Sequence, residues 1–342
     1  MRALVKQTAG PGLDLVDVAM PEPGPGEVRI RIRKVSICGT DMHIWKWDAW
    51  AEATIPVPMV VGHEYAGVID AVGAGVTGLE PGQRVSGEGH IPCGSCRNCQ
   101  TGRAHICART RSIGVNVPGA FADYLVLPAA NVRPLPDFVS DDIASILDPL
   151  GNAVHTALAF DLTGEDVLIT GAGPIGCMAA AVCRHVGARR IVVTDLNDDR
   201  LALASRMGAS RTVRADREDL RDVMTEIGMR EGFDVGLEMS GAAPALDALI
   251  EAMITGGNIA LLGLFGKRPE VDLNKAIFKG LSMKGIYGRR MFETWHKMYG
   301  MLESGLDVAP VISHTLPFER FADGFEAIGS GAANKVVLDL TA

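Results

Sequence analysis

Polar and apolar residues alternate in several short segments of the first part of the chain. In Glu27–Val35 they alternate with the period of a strand that has one buried face. Tyr65–Gly73 and Phe121–Pro128 are further short runs of this kind, and turns rich in Gly and Pro separate them. Many short strands between such turns predict a β-rich barrel or sandwich up to residue 147.

The pattern changes near Asp148. From there, apolar strand-like runs such as DVLITG alternate with helix-like segments such as PIGCMAAAVCRHVGA. A strict strand–helix alternation with apolar strands predicts a parallel sheet that helices cover on both faces. The alternation stops after Arg290, and the tail predicts a helix, a turn and a terminal strand.

Two domains are therefore expected, which suits a chain of 342 residues. We place the β-rich domain at 1–147 and the α/β domain at 148–292. The tail 293–342 is expected to return to the first domain. At the junction, Asp148 is predicted to cap a helix whose first residue is Pro149.

Composition and charge narrow the possible functions. The net charge is −8, which argues against nucleic acid as a partner because phosphate contacts need clustered Lys and Arg. The first residues lack the apolar run of a signal peptide, and no window reaches the ~18 apolar residues of a membrane span. We expect a soluble cytoplasmic protein with no membrane partner, in which thiols stay reduced.

Four of the seven cysteines lie within fifteen residues, at Cys93, Cys96, Cys99 and Cys107. Four thiolates at this spacing can surround one zinc ion tetrahedrally. An iron–sulfur cluster is the alternative, but its bacterial pattern has three residues before the fourth cysteine and a proline after it, whereas here there are seven residues and Ala108. Free or disulfide-bonded cysteines are the third possibility. Four protein ligands leave no position for substrate, so a zinc ion here would be structural.

A glycine motif opens the first helix of the α/β region, at Gly171, Gly173 and Gly176. A strand precedes it, and the next strand ends in Asp195, nineteen residues after Gly176, as in dinucleotide-binding folds. Asp195 is expected to bind the adenosine ribose and to favour NAD over NADP. Arg200 could instead tolerate a 2′-phosphate, and a plain structural turn is the alternative to the whole motif.

A second group of metal-ligand residue types is spread over the chain, at Cys38, His63, Glu64 and Asp148. Cysteine, histidine and a carboxylate with water as fourth ligand would form an open, catalytic zinc site. Each residue also has an ordinary reading, because a lone cysteine is usually a core residue and Asp148 can serve as a helix cap. Spacing alone leaves both readings open.

The motifs CGTDMH, GHEYAG, the four cysteines and GAGPIG together resemble those of the zinc-dependent medium-chain dehydrogenases. Within that superfamily, HIWKWDAW, VSGEGH and KGIYGRRMFETWHKM resemble the bacterial L-threonine 3-dehydrogenases. The resemblance covers nearly the whole chain. It implies a Rossmann-type, doubly wound α/β domain beside a GroES-like catalytic domain with a zinc-stapled lobe. It also implies a cytoplasmic homotetramer that uses NAD to oxidise the 3-hydroxyl of L-threonine to 2-amino-3-oxobutanoate.

The resemblance further assigns roles to individual residues. Cys38, His63 and Glu64 would hold a catalytic zinc, and the four clustered cysteines would hold the second zinc of each subunit. Whether Glu64 is a direct ligand or lies behind the ligands stays open. Thr40 and His43 would form a proton relay, and Asp148 would support catalysis beside the zinc. The residues implied to contact NAD are Ile175, Asp195, Arg200, Leu262, Gly263, Leu264, Ile286 and Tyr287.

Three other functions remain to be distinguished. A polyol or secondary-alcohol dehydrogenase would share the zinc and NAD machinery and differ in its substrate pocket. A non-catalytic NAD-binding protein could keep the fold, although the presence of Cys38, Thr40, His43 and His63 speaks against it. A zinc-ribbon module that binds nucleic acid is disfavoured by the net charge.

Overall fold

A computed structural model describes residues 1–342, which divide into two compact units. The first unit combines Met1–Pro149 with Ile312–Ala342, and the second is Leu150–Val311. The tail therefore joins the first unit from Ile312, later than the expected residue 293. None of the helices has both the length and the apolar composition needed to cross a membrane.

Up to residue 140 the first unit consists mainly of short strands, as the alternating pattern predicts. They are β1 (Arg2–Lys6), β2 (Asp14–Asp17), β3 (Glu27–Ser36), β4 (Met59–Val60), β5 (Tyr65–Val72), β6 (Arg84–Gly87), β7 (His90–Ile91), β8 (Arg111–Ser112), β9 (Tyr124–Pro128) and β10 (Val132–Pro134). The helices of this unit before the junction are α1 (Gly39–Lys46), α2 (Ala49–Thr54), α3 (Arg97–Gln100) and α4 (Asp141–Ser145), with 3-10 turns at Ala104–Ile106 and Ala129–Asn131.

The second unit alternates strands and helices. Its strands are β11 (Asp166–Thr170), β12 (Arg190–Asp195), β13 (Arg211–Arg214), β14 (Phe233–Glu238), β15 (Met253–Leu261) and β16 (Ser282–Gly285). The helices from the junction onward are α5 (Leu147–Ala157), α6 (Pro174–His185), α7 (Asp198–Arg206), α8 (Leu220–Glu226), α9 (Ala243–Ala252), α10 (Leu273–Phe278) and α11 (Glu293–Glu303), followed by a 3-10 turn at Ala309–Val311. The strands form one parallel sheet in the order β13-β12-β11-β14-β15-β16, which is a doubly wound arrangement. The predicted fold class is confirmed.

The end of α9 and the start of β15 differ from the boundaries that the sequence pattern predicts. The helical pattern of α9 runs on to Gly256, but the chain becomes strand β15 at Met253, which pairs with Phe233. Gly256 has φ of +84°, which a right-handed helix cannot include. Tertiary pairing therefore overrides the local helical pattern.

Helix α11 belongs to the second unit because its apolar face is buried there. Trp295 and Met298 are almost fully buried. The sulfur of Met298 lies so close to Gly151 that a Cβ at this glycine would be 3.4 Å from it. Packing against the start of α5 thus keeps residues 293–311 with the parallel sheet.

The returning segment completes the main sheet of the first unit. It contributes β17 (Ile312–Pro317), α12 (Phe321–Ser330) and β18 (Lys335–Asp339), with a 3-10 turn at Phe318–Arg320. Strand β18 pairs antiparallel with β3 and parallel with β17, in a seven-stranded sheet ordered β10-β6-β5-β3-β18-β17, with β9 also paired to β3. Phe325 of α12 stacks on Trp45 of α1 at 4.8 Å. The end of the chain thereby packs against the segment that carries Cys38.

Candidate active site

The predicted ligands Cys38, His63 and Glu64 lie together in the first unit. Their ligand atoms are all within 4.8 Å of one another. Cys38 directly precedes α1 and follows β3, while His63 and Glu64 directly precede β5. Strands β3 and β5 are antiparallel neighbours, with Val35 opposite Tyr65 and the amide of Ser36 donating to the Glu64 carbonyl. The sheet register therefore brings the two segments to one place.

Glu64 supplies the clearest test of whether a metal fits this group. It is fully buried, and its Oε2 accepts hydrogen bonds from the Ser36 hydroxyl and the Lys335 ammonium. Its Oε1 is also buried but has no hydrogen-bond partner in the protein. A buried polar atom without a partner is costly, and a zinc ion among a thiol, an imidazole and a carboxylate would supply the missing interaction.

The proposed relay residues lie on α1, three positions apart and so on the same helix face. No hydrogen bond joins Thr40 to His43. The imidazole is 57% exposed, and its Nδ1 lies 2.5 Å from Asp48 Oδ2. The structure thus places both residues just beyond Cys38 without linking them directly, and their roles remain predictions.

The four clustered cysteines also converge, with all sulfur atoms within 4.8 Å of one another. The contacts from Cys96 to Cys99 and Cys107 are 3.5 and 3.8 Å, far longer than the ~2.05 Å of a disulfide bond. Hydrogen bonds to the Cys93 sulfur from the Ser95 backbone amide and from the Arg109 guanidinium lower the pKa of Cys93 to about 5. Burial, by contrast, raises the pKa of Cys99 to about 12. The convergence of four sulfur atoms at one point, rather than the pKa values, is what fits a closed tetrahedral zinc site.

In the second unit, the glycine motif has the geometry that a dinucleotide needs. Gly171 has φ of +95°, and a Cβ on Gly176 would lie 1.9 Å from the Gly171 carbonyl oxygen. A Cβ on Gly173 would instead meet open space, where a pyrophosphate could approach the backbone. Helix α6 begins next, so its free amide groups are available to an anion.

Asp195 ends β12 beside this turn. Its Oδ2 accepts from the Ala172 amide at 2.7 Å, and its Oδ1 accepts from the amides of Leu196 and Asn197. Asp195 and Arg200 line one cavity of about 1120 Å³. This volume suits a small-molecule or cofactor site.

The other residues expected to contact NAD follow the carboxyl ends of further strands in the same sheet. Leu262–Leu264 follow β15, and the Glu238 carbonyl at the end of β14 accepts from the amides of Leu262 and Gly263. Ile286 and Tyr287 follow β16, and Ile175 lies in the first turn of α6. The parallel sheet brings these segments to one edge, as in other doubly wound folds.

Comparison with known proteins identifies the family of the chain. Residues 24–137 match the family described as alcohol dehydrogenase GroES-like domain, and residues 174–304 match the zinc-binding dehydrogenase family. The alcohol dehydrogenase of Thermus sp. ATN1 superposes with a TM-score of 0.91 at 30% identity, covering 99% of each chain. A structure from Escherichia coli CFT073, described as a short chain alcohol dehydrogenase complexed with NADH, has a TM-score of 0.91 at 27% identity and also covers 99% of each chain.

Curated relatives are much more similar in sequence. The L-threonine 3-dehydrogenase of Idiomarina loihiensis is 59% identical over 339 residues, which is 99% of each chain. That of Deinococcus radiodurans is also 59% identical, over 99% of this chain and 98% of its own. The chain belongs to the L-threonine 3-dehydrogenase family. As a member of that family, it is a zinc-dependent oxidoreductase.

In this member of the L-threonine 3-dehydrogenase family, Lys335 also belongs to the candidate zinc site. The sequence alone assigned it no role. Its ammonium is 2% exposed and donates to the Ile37 carbonyl at 2.9 Å as well as to Glu64. Burial alone would lower the pKa of Lys335, but the charges of Glu64 and Cys38 raise it. The lysine therefore holds the Glu64 carboxylate as a buried ion pair. In the sequence, the only indication of this role was a lysine at the start of an apolar terminal strand.

Asp41 was also missed. One of its oxygens accepts from the Cys38 amide at 2.8 Å, and the other lies 3.6 Å from Nδ1 of His63. Burial raises the pKa of Asp41 to about 6. Metal-binding histidines commonly have such a carboxylate beside the ring nitrogen that does not bind the metal. Asp41 thus accepts a hydrogen bond from the Cys38 amide and lies beside His63 without a hydrogen bond to it. Its position one turn after Cys38 was the available signal.

Asp148 does not cap a helix, so that part of the prediction is wrong. Helices α4 and α5 are separated only by Ile146, and Asp148 already lies in the first turn of α5. Only 9% of its surface is exposed, and its charge acts to raise the pKa of His63. Asp148 is therefore within electrostatic reach of the proposed zinc ligands.

Proposed function

We propose that this chain oxidises the 3-hydroxyl of L-threonine to 2-amino-3-oxobutanoate, with NAD as hydride acceptor and zinc as catalytic metal. The observation that carries the proposal is the convergence of Cys38, His63 and Glu64, in which one oxygen of the buried Glu64 carboxylate lacks a hydrogen-bond partner. The choice of L-threonine as substrate rests on relatives named for this activity, which are 59% identical over 99% of the chain.

In this proposal each subunit holds two zinc ions. Cys38, His63 and Glu64 bind the catalytic ion, which when present would act as a Lewis acid toward the substrate hydroxyl. Asp41 orients His63, and Lys335 holds Glu64 in place. Asp148 adds negative charge near the ligands. The structural zinc is bound by Cys93, Cys96, Cys99 and Cys107.

The direct test of the substrate is a comparison of purified protein on L-threonine, sorbitol and 2,3-butanediol, following NADH absorbance. We expect L-threonine to have the highest kcat/KM, with 2-amino-3-oxobutanoate or its decarboxylation product recovered. A higher kcat/KM with either of the other alcohols would reassign the chain to the polyol or secondary-alcohol dehydrogenases.

Thr40 and His43 move the hydroxyl proton toward solvent. They share no hydrogen bond, so in this proposal the proton passes from Thr40 to His43 through a hydroxyl group of water or of a bound ligand. We expect His43→Ala to lower kcat by ~10²–10⁴ with zinc content unchanged, since general acid–base help is lost. Thr40→Val should have a similar effect, and the double variant should be little worse than either.

Thr40→Ser keeps the hydroxyl and is the matched control, which should retain most activity. Steady-state kinetics of all four variants decide the question. Independent, multiplying effects of the two residues would mean that they do not share one relay.

Cofactor choice rests on the region around Asp195. Its carboxylate would accept hydrogen bonds from the ribose and repel a 2′-phosphate. Arg214, opposite Asp195 on β13, is bound to Asp198 at 2.6 Å and Asp216 at 2.7 Å, so its charge is already neutralised. We therefore expect a strong preference for NAD over NADP.

Asp195→Gly should lower kcat/KM with NAD and improve kcat/KM with NADP relative to it. The ratio of the two kcat/KM values should change by ~10-fold or more, which corresponds to ~1.4 kcal/mol. Asp199→Gly, a nearby exposed carboxylate outside the cavity lining, is the control. Equal use of both cofactors by the unmodified protein would instead mean that Arg200 governs this pocket.

The proposal includes a homotetramer in the cytoplasm. Strand β16 is an edge of the parallel sheet, and the neighbouring α10 exposes Leu273, Ile277 and Phe278 by 62, 70 and 85%. Large exposed apolar side chains in one helix favour a contact with another chain. All seven cysteines are free, which suits a reducing compartment.

Phe278→Glu should therefore yield a smaller assembly in light scattering, because burying a charge in an apolar contact is unfavourable. Phe138→Glu, at an exposed phenylalanine of the first unit, is the control and should leave the assembly unchanged. A monomeric unmodified protein would contradict this part of the proposal.

A further inference from the structure

Asp48 stands where the chain turns from α1 into α2. Helix α1 is capped at its carboxyl end by Trp47, whose φ of 54° and ψ of 53° are left-handed, and the next residue is the N-cap of α2. Oδ1 of Asp48 accepts from the amides of Trp50 and Ala51 at 3.1 and 3.0 Å. Its Oδ2 lies 2.5 Å from Nδ1 of His43. The carboxylate is thus fixed by a helix end while it points at the imidazole.

Further contacts hold His43 and Asp48 in this arrangement. The ring of Trp50 meets the imidazole edge-on, with centroids 5.8 Å apart. The Asp48 amide also donates to the His43 carbonyl. Hydrogen bonds from His43 and from the Ala51 amide lower the pKa of Asp48, so its side chain is a carboxylate at neutral pH.

The contact is not explained by stability alone. The side chains of His43 and Asp48 are 57% and 40% exposed, and exposed ion pairs contribute little to folding. The capping role needs only one of the two carboxylate oxygens. The second oxygen is therefore available to act on His43.

We propose that Asp48 is a positioning residue for the reaction, which holds the imidazole of His43 and keeps a proton on its Nδ1. An ionised carboxylate can only accept, so the neutral imidazole must donate from Nδ1. Its Nε2 then carries the free lone pair and can take up the proton that comes from the side of Thr40. This inference rests on the relay in the proposed function.

The variant Asp48→Asn separates this role from helix capping. Asparagine is as good an N-cap as aspartate, so α2 should stay intact. Its amide can either accept or donate, so it no longer fixes one tautomer and carries no charge. In a catalytic triad, such a change leaves the geometry intact but strongly lowers kcat.

The experiment measures kcat, KM for NAD and Tm for Asp48→Asn, His43→Ala and the double variant. We expect Asp48→Asn to lower kcat by ~10–100-fold, as for carboxylates that orient metal-binding histidines, with KM for NAD and Tm nearly unchanged. In the His43→Ala background the same substitution should have no further effect, because the residue it acts through is gone.

Asp307→Asn is the matched control. Asp307 is exposed and accepts from the Ala309 amide at 2.9 Å, but it contacts no histidine, so kcat should not change. An unchanged kcat in Asp48→Asn with an impaired His43→Ala would overturn this inference and leave the relay standing. An equal loss in both backgrounds would also overturn it. Full activity of His43→Ala would overturn the relay and this inference together.

Discussion

Replacing Cys38 with serine is expected to remove turnover while the protein stays folded. The serine hydroxyl remains protonated at neutral pH, and it replaces the soft thiolate that zinc prefers. Loss of the Lewis acid removes several kcal/mol of transition-state stabilisation, which is a loss of at least ~10³-fold in kcat/KM. Metal analysis should find one zinc ion per chain rather than two.

The effect on folding should be small because Cys38 is only partly buried and the hydrogen bond that its backbone amide donates to Asp41 does not involve the Cys38 side chain. Cys183→Ala is the control, since Cys183 is a buried residue of α6 that belongs to neither of the two candidate metal-binding groups. It should keep both zinc ions and its activity. A soluble Cys38→Ser variant with normal turnover would refute the assignment of the catalytic metal.

Cys96→Ser is expected to act mainly on stability. The loop around the four cysteines contains only the four-residue α3 and a three-residue 3-10 turn, so little apolar packing supports it. The binding energy of a structural zinc then contributes directly to folding. Losing a metal is among the changes that cost ~4–5 kcal/mol, which lowers Tm by ~10–20 °C in a domain of this size.

Differential scanning fluorimetry and zinc analysis would measure this effect. At a temperature where the variant is still folded, kcat should remain within ~10-fold of the unmodified protein, because a closed site offers no position for substrate. Gln100→Ala, at an exposed residue next to Cys99, serves as the control. Unchanged Tm together with lost activity would contradict a structural role.

The sequence determined those features whose signals are local. The four cysteine ligands lie within fifteen residues, so their spacing alone indicates a zinc site. The glycine motif, its helix and Asp195 occupy one strand–helix–strand unit, and the alternation of strands and helices predicts the doubly wound sheet. The proposed catalytic ligands are farther apart, and only the resemblance of their surrounding motifs selected Cys38, His63 and Glu64.

The tertiary structure decided what depends on distant contacts. Lys335 reaches Glu64 across 271 positions of sequence, because β18 returns to pair with β3. The ion pair matters because both side chains are buried, and nothing in the sequence around either residue indicates that burial. The same holds for the turn that brings Asp48 to His43, since its left-handed residue is a tryptophan rather than a glycine. Strand pairing and packing between distant segments fix such contacts, whereas local sequence patterns report only the period and the ends of each element.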